Sequence, residues 1–121
     1  MPKTMMLVFS KPISAESEAA YNDWYSNKHL PDLTRVPGLV SATRYKLDKS
    51  VEPMPGITGD PRGYLAVYEI EGETPSDLER FAQTLRQALA DGVADISPHL
   101  DMVDISASFA IPITDRLTPQ K

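Results

Sequence analysis

In the run Gly63 to Glu71, Tyr64, Ala66, Tyr68 and Ile70 fall on one side of an extended backbone and Leu65 and Val67 on the other, so a strand here is apolar on both faces. The opening run Met5 to Ser10 repeats the pattern, with Met5, Leu7 and Phe9 opposite Met6 and Val8. A sheet built on such strands needs cover on both sides. Helices can supply one cover. The second must come from elsewhere, because soluble monomers rarely expose a contiguous apolar face of several hundred Å². A second copy of the chain is the expected cover, which makes a homodimer the expected assembly.

Helix and strand signals alternate along the chain. Ser14 or Ser17 can cap a first helix, with Glu16 and Glu18 near its positive end. Pro31 lacks an amide hydrogen and clashes with the carbonyl four residues back, so that helix should end or kink near Asn27 to Leu30. Leu39 to Leu47 reads as the second strand and Gly63 to Glu71 as the third. Thr74-Pro75-Ser76-Asp77 then combines a capping residue with Pro at the first helical position. Leu78, Phe81, Ala82, Leu85 and Leu89 follow at helical spacing until Gly92. Met102 to Ile113 reads as a last strand that Pro112 ends or places on an edge. Two split crossovers in this order predict an α+β, ferredoxin-like βαββαβ fold with a four-stranded antiparallel sheet. Residues 1–113 are expected to form one domain and residues 114–121 a flexible C-terminal tail. The Asp48 to Arg62 connection, rich in Pro and Gly, is long for a hairpin and suits a lid, a dimer contact or disorder.

Composition removes several classes of function. A chain of 121 residues with 41% hydrophobic and 24% charged residues reads as one soluble globular domain. Cys is absent, which excludes disulfides, thiolate metal sites and a Cys nucleophile. A net charge of -5 with no dense basic cluster argues against nucleic acid as a partner. Met1 to Thr4 lead into an apolar run too short for a signal segment or a membrane span, so a cytoplasmic protein without a membrane partner is expected. The sequence holds no Gly-rich phosphate loop, nucleophile elbow or spaced ligand set of His and carboxylates. Nucleotide chemistry, acyl-enzyme hydrolysis and zinc hydrolysis are therefore disfavoured, and neither metal nor cofactor is expected.

Most of the chemistry gathers between Tyr21 and Leu33, a stretch that holds the only Trp of the chain. At about 100° per residue, Tyr21, Trp24, Tyr25, Lys28 and His29 span an arc of roughly 140° on one helix face. The imidazole of His29 is suited to proton transfer near neutral pH; alternatively Lys28 and His29 are cations that complete the negative end of a helix. Tyr21, Trp24 and Tyr25 either wall a pocket for a cyclic or aromatic ligand or pack as core. Asp32 could orient His29 or cap the turn that follows. Arg44 could hold a carboxylate or an enolate, or form an ion pair at the surface or an interface. Tyr64 and Tyr68 share a strand face and either donate to a ligand oxygen or pack beneath a helix. Asp104, Ser106 and Ser108 fall on one face of the last strand, as a polar lining or a solvated edge. His99, beside Pro98, reads as a loop or edge residue.

The pattern Tyr21-x-x-Trp24-Tyr25-x-x-x-His29-Leu30-Pro31-Asp32-Leu33, followed by Val36-Pro37-Gly38-Leu39-Val40-Ser41-Ala42-x-Arg44-Tyr45, resembles the signature of the EthD-like families within the dimeric α/β-barrel superfamily. The resemblance implies a homodimer whose two sheets pack face to face, with a pocket in each subunit between sheet and helices. It implies His29 as the pocket histidine, Trp24 and Tyr25 as pocket or core aromatics, and Pro37-Gly38 as the turn into the second strand. The superfamily includes isomerases, cofactor-free oxygenases, decarboxylases, dehydratases, haem enzymes and members of unknown activity; no haem-binding histidine pattern occurs here.

Together these readings lead to a small cofactor-independent enzyme of lyase, isomerase, decarboxylase or dehydratase type acting on an apolar cyclic or aromatic metabolite. His29 would move a proton, and Tyr21, Trp24, Tyr25, Arg44, Tyr64 and Tyr68 would bind the substrate. A cofactor-free oxygenase of an aromatic substrate and a non-catalytic dimeric binding or accessory protein are the alternatives.

Overall fold

The structure is a computed structural model that describes residues 2–120. Strand β1 (Thr4–Ser10) is followed by a 3₁₀ turn (Ala15–Ser17) and helix α1 (Glu18–Trp24). A π-helical turn (Tyr25–His29) then leads into α2 (Leu30–Leu33). Strands β2 (Leu39–Lys46) and β3 (Tyr64–Ile70), helix α3 (Pro75–Ala90) and strand β4 (Ser106–Ala110) complete the chain. The sheet order is β2-β3-β1-β4, with every neighbouring pair antiparallel. Each βαβ crossover therefore skips one strand, which is the ferredoxin-like α+β arrangement. Met1 and Lys121, the outermost residues of the expected domain and tail, lie outside the described residues.

The strand alternation sorts the core. Thr4, Met6, Val8 and Ser10 of β1 pair with Ile70, Tyr68, Ala66 and Tyr64 of β3, and all eight are buried beneath the helices. A side chain such as Ile70 contributes about 1.5–3 kcal/mol by this burial. Met5, Leu7, Phe9, Leu65 and Val67 point away from the helices and keep part of their exposure.

Helix α3 starts as its sequence dictates. Thr74 Oγ1 accepts from the Asp77 amide at 3.2 Å, and the Asp77 carboxylate accepts from the Thr74 amide at 3.1 Å and the Glu73 amide at 3.0 Å. Those backbone donors, Glu73 foremost, hold the Asp77 carboxyl down to about 2.

Three local expectations are corrected. The regular α-helix is interrupted as expected, but by a π turn that begins earlier, at Tyr25, and not by a stop: Leu30 N–H reaches back five residues to the Tyr25 carbonyl, and the chain stays helical to Leu33. The wider π turn keeps the proline ring clear of the Asn27 carbonyl that a regular α-turn would drive into it. Neither Ser14 nor Ser17 makes a side-chain capping bond: their hydroxyls bond to each other at 3.2 Å, and Ser17 Oγ also meets His99 Nδ1 at 3.1 Å. The last strand spans only Ser106–Ala110, because Asp101 folds the preceding segment into a turn by accepting from the amides of Val103 and Asp104. Asp104 thus leaves the strand face that carries Ser106 and Ser108.

The turn into β2 works as read. Gly38 has φ of +94°, and a Cβ there would stand 3.2 Å from the Phe81 ring, so glycine satisfies both the backbone and the approach of α3.

Candidate functional site

Between the sheet and the helices lies a cavity of about 230 Å³. Met6, Val8, Tyr68 and Ala107 line it from the strands, Tyr25, His29 and Leu33 from the first helical segment, and Leu85 and Leu89 from α3. Leu100 and Ile105, from the segment before β4, complete the wall. The lining residues that keep exposure are Leu85, Leu89, Ile105 and Ala107, so the cavity meets solvent between α3 and the edge strand β4.

The π turn sets the geometry of the chemical groups. His29, its last residue, is 8% exposed, and its Nδ1 is buried without a hydrogen-bond partner. Trp24 packs on the imidazole with ring centres 4.5 Å apart, and Tyr25 meets it edge-on at 5.2 Å. Tyr25 OH and Tyr68 OH lie 3.3 Å apart across the helix–sheet junction. Burial pushes the His29 pKa down from its ordinary value, against an upward pull from the backbone and carboxylate of Asp95. Burial also raises both phenols, Tyr25 and Tyr68. At neutral pH the cavity therefore presents a neutral imidazole and two protonated phenols. Such a set can accept a proton from a ligand and donate hydrogen bonds to the oxygen that gains charge.

Asp95 braces the site from outside. It accepts from Trp24 Nε1 at 3.2 Å and from Lys28 Nζ at 3.1 Å, fastening the segment after α3 to the helix that carries His29. Nothing in the sequence around it marks Asp95, which sits in an irregular segment and acts through residues distant in the chain. Asp32 neither orients His29 nor caps the turn through its side chain; its carboxylate pairs with Lys28 at 2.9 Å and with Arg35 at 3.7 Å.

The remaining sequence candidates form a second cluster on the far side of Tyr25. The Arg44 guanidinium lies 4.4 Å from the Tyr25 ring centre, 5.2 Å from that of Tyr64 and 5.3 Å from that of Tyr21. It donates to Ser26 Oγ at 2.8 Å and Asn22 Oδ1 at 3.0 Å. Tyr64 OH donates to Glu18 at 3.0 Å, and Tyr21 OH is hydrogen-bonded to Ser10 Oγ at 2.5 Å. The structure thus brings His29, Tyr25 and Tyr68 to the cavity and places Trp24 behind His29. It places Tyr21, Arg44 and Tyr64 in a packed cluster outside the lining. Leu85 and Leu89, legible from sequence only as the apolar face of α3, line the cavity.

A larger open cleft of about 690 Å³ lies where β2 and β3 meet the start of α1, with Lys11, Lys46, Lys49 and Arg62 among its walls. Lys11 is paired with Asp104 at 3.1 Å, and Arg62 with Asp60 at 2.7 Å and Asp104 at 2.9 Å. That cleft holds no unpartnered buried polar atom among the described residues, whereas the smaller cavity does. No residue of the Asp48 to Arg62 connection lines the smaller cavity. The described residues include no cluster of three or more His, Cys, Asp or Glu able to hold a metal ion. No described helix is long and apolar enough to cross a membrane.

The fold and cavity define a ferredoxin-like α+β protein with a histidine pocket between sheet and helices. No protein-family model and no curated protein sequence matches the chain. Solved structures that resemble it include the following two. An EthD family protein from Bacillus halodurans C-125 has a TM-score of 0.50 at 14% identity, over 93% of this chain and 100% of that one. A protein from Shewanella loihica PV-4 described as a "putative monooxygenase" has a TM-score of 0.49 at 20% identity, over 94% of this chain and 98% of that one. At 14% identity the likeness to the Bacillus halodurans protein shows a shared fold alone.

Proposed function

We propose that the protein is an EthD-like enzyme that moves a proton on an apolar cyclic or aromatic metabolite without a cofactor, with His29 as general base and acid. The observation that supports this most is the unpartnered, buried Nδ1 of His29 beside an apolar cavity. Leaving a polar atom unsatisfied costs about 1–3 kcal/mol, and a bound hydroxyl would remove that cost. Tyr25 and Tyr68 stand ready to donate to an enolate-like oxygen, the requirement shared by isomerisation and elimination. Arg44 supports the ring of Tyr25 rather than the ligand. In the active form two copies pack their open sheet faces together as a dimeric α/β barrel, covering Met5, Leu7, Phe9, Leu65 and Val67.

The test is carbon-bound proton exchange in D₂O, followed by NMR on a panel of cyclic ketones and phenols. The wild-type protein should accelerate exchange on at least one of them, and His29→Gln should reduce the acceleration about 10²-fold or more while keeping the fold. Undiminished exchange in His29→Gln would end the catalytic reading. Binding without any exchange would leave a non-catalytic carrier.

A further inference from the structure

We infer that the His29 cavity accepts only an uncharged, single-ring ligand carrying a hydroxyl or an enolisable oxygen: a small phenol or cyclic ketone, with anions and fused polycyclic molecules excluded. This rests on the proposed role of the same cavity and narrows its ligand.

Size sets the first limit. A dry apolar cavity of about 150 Å³ accommodates one benzene. The cavity here, at about 230 Å³, adds room for a short substituent and an oxygen, and not for a second and third fused ring. The inner wall is fixed by packed neighbours, Leu33, Tyr68 and Leu100, each at most 5% exposed, so a larger ring system could extend only outward, through the mouth at Leu85, Leu89, Ile105 and Ala107.

Charge sets the second. None of the lining residues is Lys, Arg, Asp or Glu. The closest cation to the wall, the Arg44 guanidinium, lies against the Tyr25 ring and is committed to Ser26 and Asn22. Lys28 is committed to Asp32 and Asp95. A carboxylate entering here would lose its hydration and meet no fixed cation among the lining residues, so the charged form binds more weakly than an uncharged ligand of the same shape. Burial likewise keeps His29 neutral until a ligand proton reaches it. The polar groups on the wall are one imidazole and two phenols, enough to bond a single oxygen from both sides. A phenol O–H donates to the imidazole while its oxygen accepts from a tyrosine. On a cyclic ketone the imidazole takes the α-carbon proton, the C–H electron pair moves onto the carbonyl oxygen held by a tyrosine, and an enolate paired with imidazolium results.

Three probes of controlled shape separate the possibilities in ¹H–¹⁵N spectra of the full chain: p-cresol, its anionic counterpart p-toluate, and the three-ring ketone anthrone. The expected result is saturable shifts at Tyr25, His29, Leu89 and Ala107 with p-cresol. The same shifts should be at least tenfold weaker in affinity, or absent, with p-toluate and anthrone. Ala107→Leu, at the exposed mouth, should weaken p-cresol binding at least tenfold without unfolding the chain. Equal binding of p-toluate or anthrone at those residues overturns the inference even where proton exchange is seen, leaving the catalytic reading standing. Failure of p-cresol to reach the cavity also overturns it. Selective p-cresol binding, with no exchange on any compound, supports the ligand class and removes the catalytic reading.

Discussion

His29 is buried, one of its ring nitrogens has no partner, and it lines a cavity; Thr4 Oγ1 shares the first two features but lines no part of that cavity. Because burial lowers its pKa below the ordinary 6.5, the unfolded chain binds more protons than the folded one between the two values. The contribution of His29 to stability is therefore complete above about pH 6.5 and is lost as pH falls through the folded value. Urea unfolding at about pH 7 and about pH 5 should show a steeper loss for the wild-type protein than for His29→Leu. Identical losses would contradict the burial of a neutral imidazole. The sequence placed Tyr21, Trp24, Tyr25 and His29 on one helix face, and that grouping is real. It could not show that a wide turn begins at Tyr25 and lets Tyr25 and His29 face the cavity while Tyr21 joins Arg44 and Tyr64. Uniform rotation per residue was the assumption that failed.

Elements with local signals were the most legible. Thr74-Pro75-Ser76-Asp77 specifies the start of α3 through four adjacent residues, and the structure has that capping box. Thr74→Ala should lower stability by about 1 kcal/mol in chemical denaturation, and Thr74→Ser should restore most of it. No change in Thr74→Ala would contradict the cap. Elements governed by distant partners were less legible. Strand β4 ends at Ala110 and begins only at Ser106, because its ladder depends on β1 and the Asp101 turn occupies the residues before it. Helix continuity through Pro31 depended on a π turn that no propensity signals. The cavity's position was legible only through resemblance, since its walls come from segments as far apart as Met6 and Ala107.

On the scale of the whole molecule, the two sides of the sheet differ in their cover. The helices bury Thr4, Met6, Val8 and Ser10, while Leu7, Phe9, Leu65 and Val67 remain half-exposed on the other side. A monomer with that face in water conflicts with the apolar side chains on it. Light scattering on the purified chain should give twice the monomer mass at micromolar concentration. Val67→Arg should yield a folded monomer, because the guanidinium enters the proposed interface and leaves the helix-covered core untouched. A wild-type monomer would remove the barrel, though not the cavity, which lies within one chain.

On the proposed function, His29 waits in the cavity as a neutral imidazole whose Nδ1 accepts a proton from the ligand. Long-range ¹H–¹⁵N correlation of the His29 ring, recorded across pH and then with p-cresol, tests it most directly. The expected result is a neutral ring at pH 7, titration below the ordinary 6.5, and a shift of the Nδ1 resonance as the ligand hydroxyl bonds to it. A ring that titrates at or above 6.5, with an Nδ1 resonance indifferent to p-cresol, would contradict it.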